Sequence, residues 1–421
     1  MRFSLDVRRA RKGDCLLLHA GTASAPSLVL IDGGPSNVYK PFLRPRLERI
    51  KAARGLVGSA PLPIDLLMVS HVDDDHIHGI LDFTRELRTA AGAPFARVSS
   101  LWHNSFDDVI GKTPKELTAA VMAQFGTASL SDGLSEDATV ESDEDEEVVR
   151  SSLKVLASIE QGHQLRLDAD NLGVPLNSEF GENLIIADST PIDMGDGLSF
   201  LVAGPMVPEL KQLQTKHDQW LKDLKAKGLK PGDALSAYVD KSVPNLSSLV
   251  VLARCGSKSI LLTGDARGDK ILEGLESAGA LKPGKSMHVD ILKVPHHGSS
   301  NNLETGFFER IIADRYVFSG NGEHGNPERE SLEMLVEARG SDPFEAHLTY
   351  PIDEIDVARK EDHEKEQRKA KARGKKPAPD WIAASDSLDA LVKSGRFKAN
   401  QKIVIADPTK HVIDLLDPLG F

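Results

Sequence analysis

The chain has 421 residues and 40% apolar side chains, so it can bury a large core, and its length is typical of two or three domains. Its net charge of −12 argues against a broadly basic nucleic-acid groove, because nonspecific affinity comes mainly from Lys and Arg that neutralise phosphates. Cys15 and Cys255 lie far apart and show no CxxC pairing, so neither a disulfide framework nor a thiolate zinc site is indicated.

The sequence carries no recognisable targeting or membrane segment. Its N-terminal apolar run is too short for a signal peptide, and no run reaches the ~18 apolar residues that a spanning helix needs. We therefore expect a soluble, cytoplasmic protein with no membrane partner. Charge is unevenly distributed, because residues 136–147 are dominated by acid and residues 368–376 are basic. Such blocks rarely pack, so both are predicted to be solvated.

The first hundred residues predict alternating strands and helices. Short β segments are expected in FSLDV, CLLLHAG and SLVLIDGG, and YKPFLRPRLERIKAARG predicts a helix with apolar and basic faces. PIDLLMVS predicts a buried strand, and GILDFTRELRTAAG has helical spacing closed by Gly. The segment HVDDDHIHG at 71–79 therefore lies on a strand-to-helix loop.

Two charged insertions interrupt this pattern. Residues 106–150 run from a helical segment into Ser, Asp and Glu, and a charged helix at 207–228 opens a second insertion that extends to about 240. Both insertions are candidate surfaces for a protein partner. The β pattern resumes in SSLVVLARCGSKSILLTGDA, which predicts two strands with GSK at the turn, and continues in VDILKVPHHGSS and RYVFSGNGEHGNP.

The domain prediction is one large domain over 1–345 and a C-terminal segment over 346–421. Residues 351–380 are charged and then rich in Pro, which predicts a helix that passes into a linker. The last segment, QKIVIADPTKHVIDLLDP, predicts a closing β-hairpin.

Ligand-type side chains follow four predicted strands. Asp32 comes after LVLI, the 71–79 cluster after IDLLMVS, Asp265 after ILLTG, and His296 and His297 after DILKVP. Sites assembled from strand ends are typical of α/β enzymes. Imidazole and carboxylate suit zinc, manganese or iron, and an aspartate from a separate strand can bridge two cations ~3.5–4 Å apart in a hydrolytic site. Asp265 is the candidate for that bridge.

Within the 71–79 cluster, the side chains of His71, Asp73 and Asp75 would point to one side of an extended segment, and His76 would join them as the helix begins. Each pattern also has a simpler explanation. An Asp-rich loop before a helix can be an N-cap, a DGG or TGD sequence can be a tight turn, and HHGS can be a surface loop. Their joint occurrence at strand ends favours a site.

These residues also carry a resemblance to a known family. SHVDDDHIHGI is similar to the second motif, His-x-His-x-Asp-His, of the metallo-β-lactamase superfamily. It is most similar to the competence-protein (ComEC-like) branch, where the second histidine is commonly aspartate. Other landmarks of that branch follow in order in LDVRRARKGDCLLLHAG, LVLIDGG, SSLVVLARCGSKSILLTGDA, DILKVPHHGSSN and FSGNGEHGNPERESLEML. Together they span about residues 1–340.

The resemblance implies an α/β fold, a four-layer αβ/βα metallo-β-lactamase sandwich, with a metal site at the shared edge of two sheets. It implies two divalent metal ions, zinc or manganese. The ligands carried over position by position are His71, Asp73, Asp75, His76, Asp265 and a histidine of the pair His296 and His297. Asp32 would support the site from behind by holding a ligand or the loop in place.

The sequence departs from the family pattern at the third motif. The expected histidine should lie just before SLVVL, where this chain has Pro244, Asn245 and Leu246. Asn245 can offer only a carbonyl oxygen, so one metal is expected to bind weakly. Because Asp73 also replaces an imidazole, the ligand set is rich in oxygen, which shifts the expectation from zinc toward manganese or magnesium.

Several further side chains are candidates for a role near the metals. His78 is expected to be structural or a substrate contact, and His103 an extra ligand or an ordinary polar contact. His324 could face the cleft as a phosphate contact or proton donor. Lys293 and the amides of the GSS segment around Ser299 are candidate phosphate contacts.

Three functions are consistent with this sequence. The leading hypothesis is a metal-dependent phosphodiesterase or nuclease acting on nucleic acid, in which Asp75 orients or deprotonates the attacking water, because the ComEC-like branch is associated with nucleic-acid degradation. The second is hydrolysis of a small ester, lactone or cyclic nucleotide, which the acidic net charge favours. The third is a metal-stabilised interaction protein with a degenerate site, which the missing third-motif histidine keeps open.

Overall fold

The structure is a computed structural model that describes residues 1–105, 161–208, 210–211, 247–372 and 374–421. The predicted insertion at 106–150 and most of the insertion at 207–240 lie outside these residues, and so does Asn245. In the described part of the chain, no helix combines the length and the apolar character needed to cross a membrane.

A six-stranded sheet contains most of the N-terminal strands, in the order β16-β1-β2-β3-β5-β7. Its strands are β1 (Arg2–Val7), β2 (Leu16–Gly21), β3 (Pro26–Ile31), β5 (Leu66–Met68), β7 (Leu101–Trp102) and β16 (Val412–Asp414). A separate two-stranded sheet pairs β4 (Leu62–Ile64) with β6 (Ala96–Val98).

An eight-stranded sheet contains the remaining strands in the order β15-β14-β13-β12-β11-β10-β9-β8. They are β8 (Ile192–Gly195), β9 (Leu198–Gly204), β10 (Val250–Cys255), β11 (Lys258–Leu262), β12 (Met287–Lys293), β13 (Ile311–Phe318), β14 (Phe344–Leu348) and β15 (Gln401–Ile405). β10 and β11 form the predicted hairpin, which turns at Gly256 with a positive φ of 60°.

Helices cover the outer face of each sheet. The first two are α1 (Arg44–Ala53) and α2 (Asp74–Thr89), and a helical stretch is described over 161–172. The C-terminal half contributes α3 (Gly268–Ser277), α4 (Thr305–Arg310), α5 (Arg329–Arg339), α6 (Ile352–Ala372), α7 (Ala383–Asp386) and α8 (Leu388–Lys393). α1, α2 and α6 lie where the sequence predicts helices.

Alternating side chains along each strand divide the core into layers. On β2, Leu16 and Leu18 lie in an apolar cluster with β9, β10 and β11 of the opposite sheet, whereas Leu17 packs with residues of α1 and α2. On β10, Val251 faces the first sheet and Leu252 packs with residues of α3 and α5. Helices, sheet, sheet and helices therefore form the four layers of an αβ/βα sandwich, as predicted.

The predicted C-terminal hairpin is wrong. β15 pairs in parallel with β14 of the eight-stranded sheet, whereas β16 pairs antiparallel with β1 of the other sheet. The intervening residues cross between the sheets, and the Arg8 guanidinium donates to the Pro408 carbonyl at 2.9 Å. Residues 346–421 thus supply a strand to each sheet, which local strand patterns alone do not reveal.

Candidate metal centre

The predicted loop over 71–79 is too long, because α2 begins at Asp74 and only residues 71–73 of this segment lie between β5 and the helix. Asp75 and His76 therefore lie in the first turn of α2 and not on an extended segment. Asp73 occupies the N-cap position with an extended backbone, and its carbonyl accepts from the amides of His76 and Ile77. Its side chain makes no capping hydrogen bond, so helix capping does not account for this carboxylate. The loop instead directs side chains toward the C-terminal ends of β11 and β12.

Asp265 occupies the centre of a ring of histidines. Its Oδ1 lies 3.3 Å from Nε2 of His76 and 3.5 Å from Nε2 of His297. Its Oδ2 lies 3.8 Å from Nε2 of His71 and 3.7 Å from Nε2 of His296. One carboxylate therefore meets four imidazoles, two at each oxygen, which is the arrangement expected of a residue that bridges two cations.

Three of the four imidazole nitrogens that face Asp265 are buried without a hydrogen-bond partner. Among the described residues this holds for Nε2 of His71, His76 and His297, and for Oδ1 of Asp265 itself. Buried polar atoms are almost always satisfied, so a cluster of buried ligand atoms without hydrogen-bond partners is the arrangement expected where a metal ion binds. Asp14, His76, Asp265 and His297 have ligand atoms within 4.8 Å of one another, so the donor set and its spacing fit a metal ion.

Two carboxylates lie at the more open side of the cluster. Asp73 Oδ2 is 3.6 Å from His71 Nε2, and Asp75 Oδ2 is 3.9 Å from His297 Nε2. Their side chains keep 32% and 24% of their exposure, whereas the histidines facing them are buried. Solvent therefore reaches the cluster on the side where these aspartates lie.

Asp32 lies behind the histidines, where it organises two of them. Its oxygens accept from the backbone N–H and the hydroxyl of Ser70, both at 2.7 Å, and Oδ2 is 2.9 Å from His76 Nδ1. Because the Ser70 hydroxyl proton is used on Asp32, its oxygen can accept from His71 Nδ1 at 3.1 Å. Both rings then carry a proton on Nδ1 and present a free Nε2 toward Asp265.

Two glycines hold α2 against the turn that carries Asp32. The Gly33 amide donates to the His76 carbonyl at 2.7 Å, and the Gly79 amide donates to the Gly34 carbonyl at 2.9 Å. A Cβ at Gly79 would lie only 2.0 Å from the Gly33 carbonyl oxygen. This backbone-to-backbone contact fixes the distance between Asp32 and His76.

We expect Gly79→Ala to lower the free energy of unfolding by about 1–3 kcal/mol and to weaken metal binding, because the added methyl forces the helix off the turn. Urea unfolding and metal titration measure the two effects. Gly92→Ala is the matched control, since nothing lies within 4 Å of a Cβ there. Equal stability of the two variants would contradict the proposed role of the contact.

His296 and His297 follow β12 with both backbones in the left-handed region, at φ of 48° and 56°. His297 is buried, and its Nδ1 lies 3.1 Å from the Ser319 hydroxyl. The Nδ1 of His296 instead accepts from the side-chain amide of Asn302 at 2.7 Å. A neutral His296 therefore carries its proton on Nε2, whereas His297 can offer Nε2 as a ligand.

The prediction that Lys293 contacts a phosphate is wrong, because its ammonium is buried away from solvent and paired with Asp14. Its side chain is fully buried, and its ammonium lies 2.8 Å from Asp14 Oδ2 and donates to the Val294 carbonyl at 3.0 Å. Asp14 is not among the predicted site residues. The signal that could have indicated it is the Gly13–Asp14 pair before β2, which lies in LDVRRARKGDCLLLHAG, one of the segments that resemble the family. Ser299 is buried, and its amide donates to the His296 carbonyl at 2.9 Å.

The other candidate histidines occupy three different positions. His324 is exposed, on the 323–325 turn after β13. His78 pairs with Asp74 at 3.0 Å outside the ring of histidines. His103 is fully buried, and within the described residues neither ring nitrogen has a hydrogen-bond partner. Burial, together with the nearby charges of Arg166 and His71, lowers the pKa of His103 to about 3.

Without a metal, the centre alternates positive and negative charge. Burial would raise the pKa of Asp265, but His297, His76 and His296 hold that pKa well below its usual range. Burial would likewise lower the pKa of His76, but Asp265 and Asp32 hold it well above its usual range. The imidazole of His76 thus binds a proton where a divalent cation would bind, so metal and proton compete for that ring.

Comparisons with known proteins give limited similarity. No family model matches the chain. Human microtubule-associated protein 1A is 30% identical over 113 residues, which is 26% of this chain and 4% of that protein. The diiron β-hydroxylase CmlA from Streptomyces venezuelae and a point mutant of CmlA each match 98% of this chain and 54% of their own, at 12% identity and a TM-score of 0.34. The chain therefore spans only part of the length of these proteins.

Proposed function

We propose that the chain is a metal-dependent phosphodiester hydrolase whose centre holds two divalent cations across Asp265. The observation that carries this proposal is the placement of two imidazole nitrogens at each oxygen of the buried Asp265 carboxylate. His76, His297 and Asp75 would hold the ion on the Oδ1 side. His71 and Asp73 would hold the ion on the Oδ2 side.

The donor set supports hard divalent cations. Three aspartates, Asp73, Asp75 and Asp265, accompany the histidines, and oxygen-rich sets favour manganese or magnesium over zinc. Bound in such a pair, these ions supply Lewis acidity that polarises a phosphoryl oxygen and makes water a nucleophile at neutral pH. Asp75, whose side chain keeps 24% of its exposure, would orient that water or accept its proton.

The rim of the centre supplies the remaining groups. The Asn326 side-chain amide donates to the His296 carbonyl at 3.4 Å, which links the loop of His324 to the segment that carries His296 and His297. His324, two residues earlier and exposed, is the proposed proton donor to the leaving group. His296 faces Asp265 with Nε2–H, so we assign it a hydrogen-bonding role rather than that of a ligand. A place in the ComEC-like branch is part of the same proposal.

Charge along α6 favours a small phosphodiester as a second candidate substrate. This helix contacts the His324 loop, where Arg359 donates to the Gly325 carbonyl at 3.1 Å. Farther along it, Lys360 and Arg368 pair with Glu364, and Lys369 pairs with Glu366. Because neighbouring acids offset these basic residues, the helix offers little net positive charge to a long nucleic acid. A cyclic nucleotide or short oligonucleotide needs no such surface.

The test is an activity panel on metal-free protein reloaded with manganese, magnesium, zinc or ferrous iron. Its substrates are bis(p-nitrophenyl) phosphate, a cyclic nucleotide, single-stranded and duplex DNA, RNA, a lactone and a thioester. We expect phosphodiester cleavage with manganese at least as fast as with zinc, no activity in EDTA, and loss of activity in His71→Ala. His288→Ala, at an exposed histidine on β12, is the control.

Two outcomes would contradict the proposal. If the protein hydrolyses the lactone or the thioester but cleaves no phosphodiester, the proposed metal centre stands and the proposed phosphodiesterase activity is wrong. Failure to bind any metal would instead favour the interaction-protein hypothesis. The ratio of rates on the cyclic nucleotide and on the long nucleic acids decides between the two substrate classes.

A further inference from the structure

We propose that Asp14 is a positioning residue for the metal centre, which fixes His297 through Ser319 and is balanced by the buried charge of Lys293. The inference rests on the proposed metal centre. It assigns a role to a residue on the turn between β1 and β2, 283 positions before His297 in the chain.

Asp14 meets three buried side chains at once. Its Oδ1 accepts a hydrogen bond from the Ser319 hydroxyl and lies 3.5 Å from His297 Nδ1. Its Oδ2 lies 2.8 Å from the Lys293 ammonium. All four residues are at most 2% exposed. A buried ion pair rarely adds stability compared with an apolar pair, so its presence behind a ligand indicates a functional role.

The arrangement determines which nitrogen of His297 is free. The Ser319 hydroxyl proton is used on Asp14, so the serine oxygen can accept from His297 Nδ1, 3.1 Å away. A carboxylate and an accepting hydroxyl beside Nδ1 both require a proton on that nitrogen. Nε2 is then unprotonated in the neutral ring and faces Asp265 Oδ1 at 3.5 Å.

The same combination of residues occurs on the opposite side of the centre. There Ser70 donates to Asp32, and its oxygen lies 3.1 Å from His71 Nδ1. Asp32 and Ser70 both follow strands of the six-stranded sheet, whereas the second pair joins Asp14, on a turn of that sheet, to Ser319, which follows β13 of the eight-stranded sheet. An aspartate–serine pair thus orients a histidine on each side of the centre.

Asp14 also links the segment that carries Asp75 to the loop that carries His297. Its amide donates to the Asp75 carbonyl at 3.3 Å, and a Cβ at the preceding Gly13 would lie 1.8 Å from that same oxygen. The β1–β2 turn therefore packs against the backbone of Asp75, while the carboxylate of Asp14 orients the ring of His297. A change at Asp14 is expected to loosen His297 and Asp75, two of the three ligands proposed for the Oδ1 side.

The test measures metal affinity, with cobalt(II) and manganese as probes, in the full chain. Asp14→Asn alone leaves the Lys293 ammonium buried without a counter-ion, so the decisive variant combines Asp14→Asn with Lys293→Met. We expect affinity for one ion to fall ~10–100-fold, with two ions still bound at saturation and an altered cobalt spectrum. The control combines Lys258→Met with Asp290→Asn, which removes an ion pair between β11 and β12, the strand that ends at Lys293.

Unchanged affinity and an unchanged spectrum would overturn the inference and leave Asp14 a purely structural residue. Loss of one ion even at saturating metal would overturn it differently, by making Asp14 a ligand. Both results leave the proposed hydrolase intact, because the wild-type protein would still bind two ions and cleave phosphodiesters. Absence of metal from the wild-type protein would reject the centre and the inference together.

Discussion

Replacement of Asp265 by asparagine is expected to remove both metal ions and to reduce phosphodiester cleavage by at least ~10³-fold. The carboxylate presents one oxygen to His76 and His297 and the other to His71 and His296, so its charge serves both positions. An amide keeps the shape but offers one neutral oxygen and an N–H₂ group that repels a cation. Elemental analysis after dialysis measures the loss.

Two comparisons make this experiment specific. Asp32→Asn changes a residue that touches His76 and Ser70 from behind, so it should weaken metal binding only ~10–100-fold and retain ions at saturation. Asp269→Asn, at an exposed position on α3, should leave metal content unchanged. Equal metal loss in the Asp32 and Asp265 variants would mean that Asp32 contacts the metal itself.

Removal of metal is expected to lower the stability of the whole fold. Each bound ion adds ~4 kcal/mol to the free energy of unfolding at a free concentration 1,000 times its dissociation constant, if the unfolded chain does not bind it. The loss should be large because three imidazole nitrogens and one carboxylate oxygen are then left buried without partners. Thermal unfolding with manganese and with EDTA measures the difference.

The Asp265→Asn variant provides the control for this second prediction. Because it lacks the bridging charge, its melting temperature should respond little to manganese or EDTA. An equal response in the variant and in the wild-type protein would indicate that metal binds elsewhere. No response in either would contradict the assignment of the orphaned atoms to a metal site.

Local sequence patterns predict those parts of the metal centre that are formed by one continuous segment of the chain. The strand before His71 and the helix near it follow from apolar periodicity, although the helix begins at Asp74, five residues before the predicted segment. Metal chemistry follows from the density of His and Asp. The four-layer arrangement follows from the resemblance of ordered motifs rather than from periodicity alone. The division of Leu16, Leu17 and Leu18 between two cores, in contrast, is seen only in the structure, because three consecutive leucines show no alternation in the sequence.

The contacts that orient the ligands could not be predicted in the same way. Asp14 meets Lys293 and Ser319 only because a turn of one sheet packs against strand ends of the other. The proton positions of His296 and His297 depend on Asn302 and Ser319, and only the folded structure brings these side chains into contact with the two rings. The predicted hairpin of β15 and β16 was wrong for a related reason, because a local strand pattern carries no information about which sheet a strand joins.

An anomalous difference map from a crystal of the manganese-loaded protein tests the central claim most directly. We expect two peaks, one on each side of the Asp265 carboxylate. One should lie on the Oδ1 side with His76, His297 and Asp75, and the other on the Oδ2 side with His71 and Asp73. A map without a peak inside this ring of histidines, or with Asp265 bound to no ion, would contradict it.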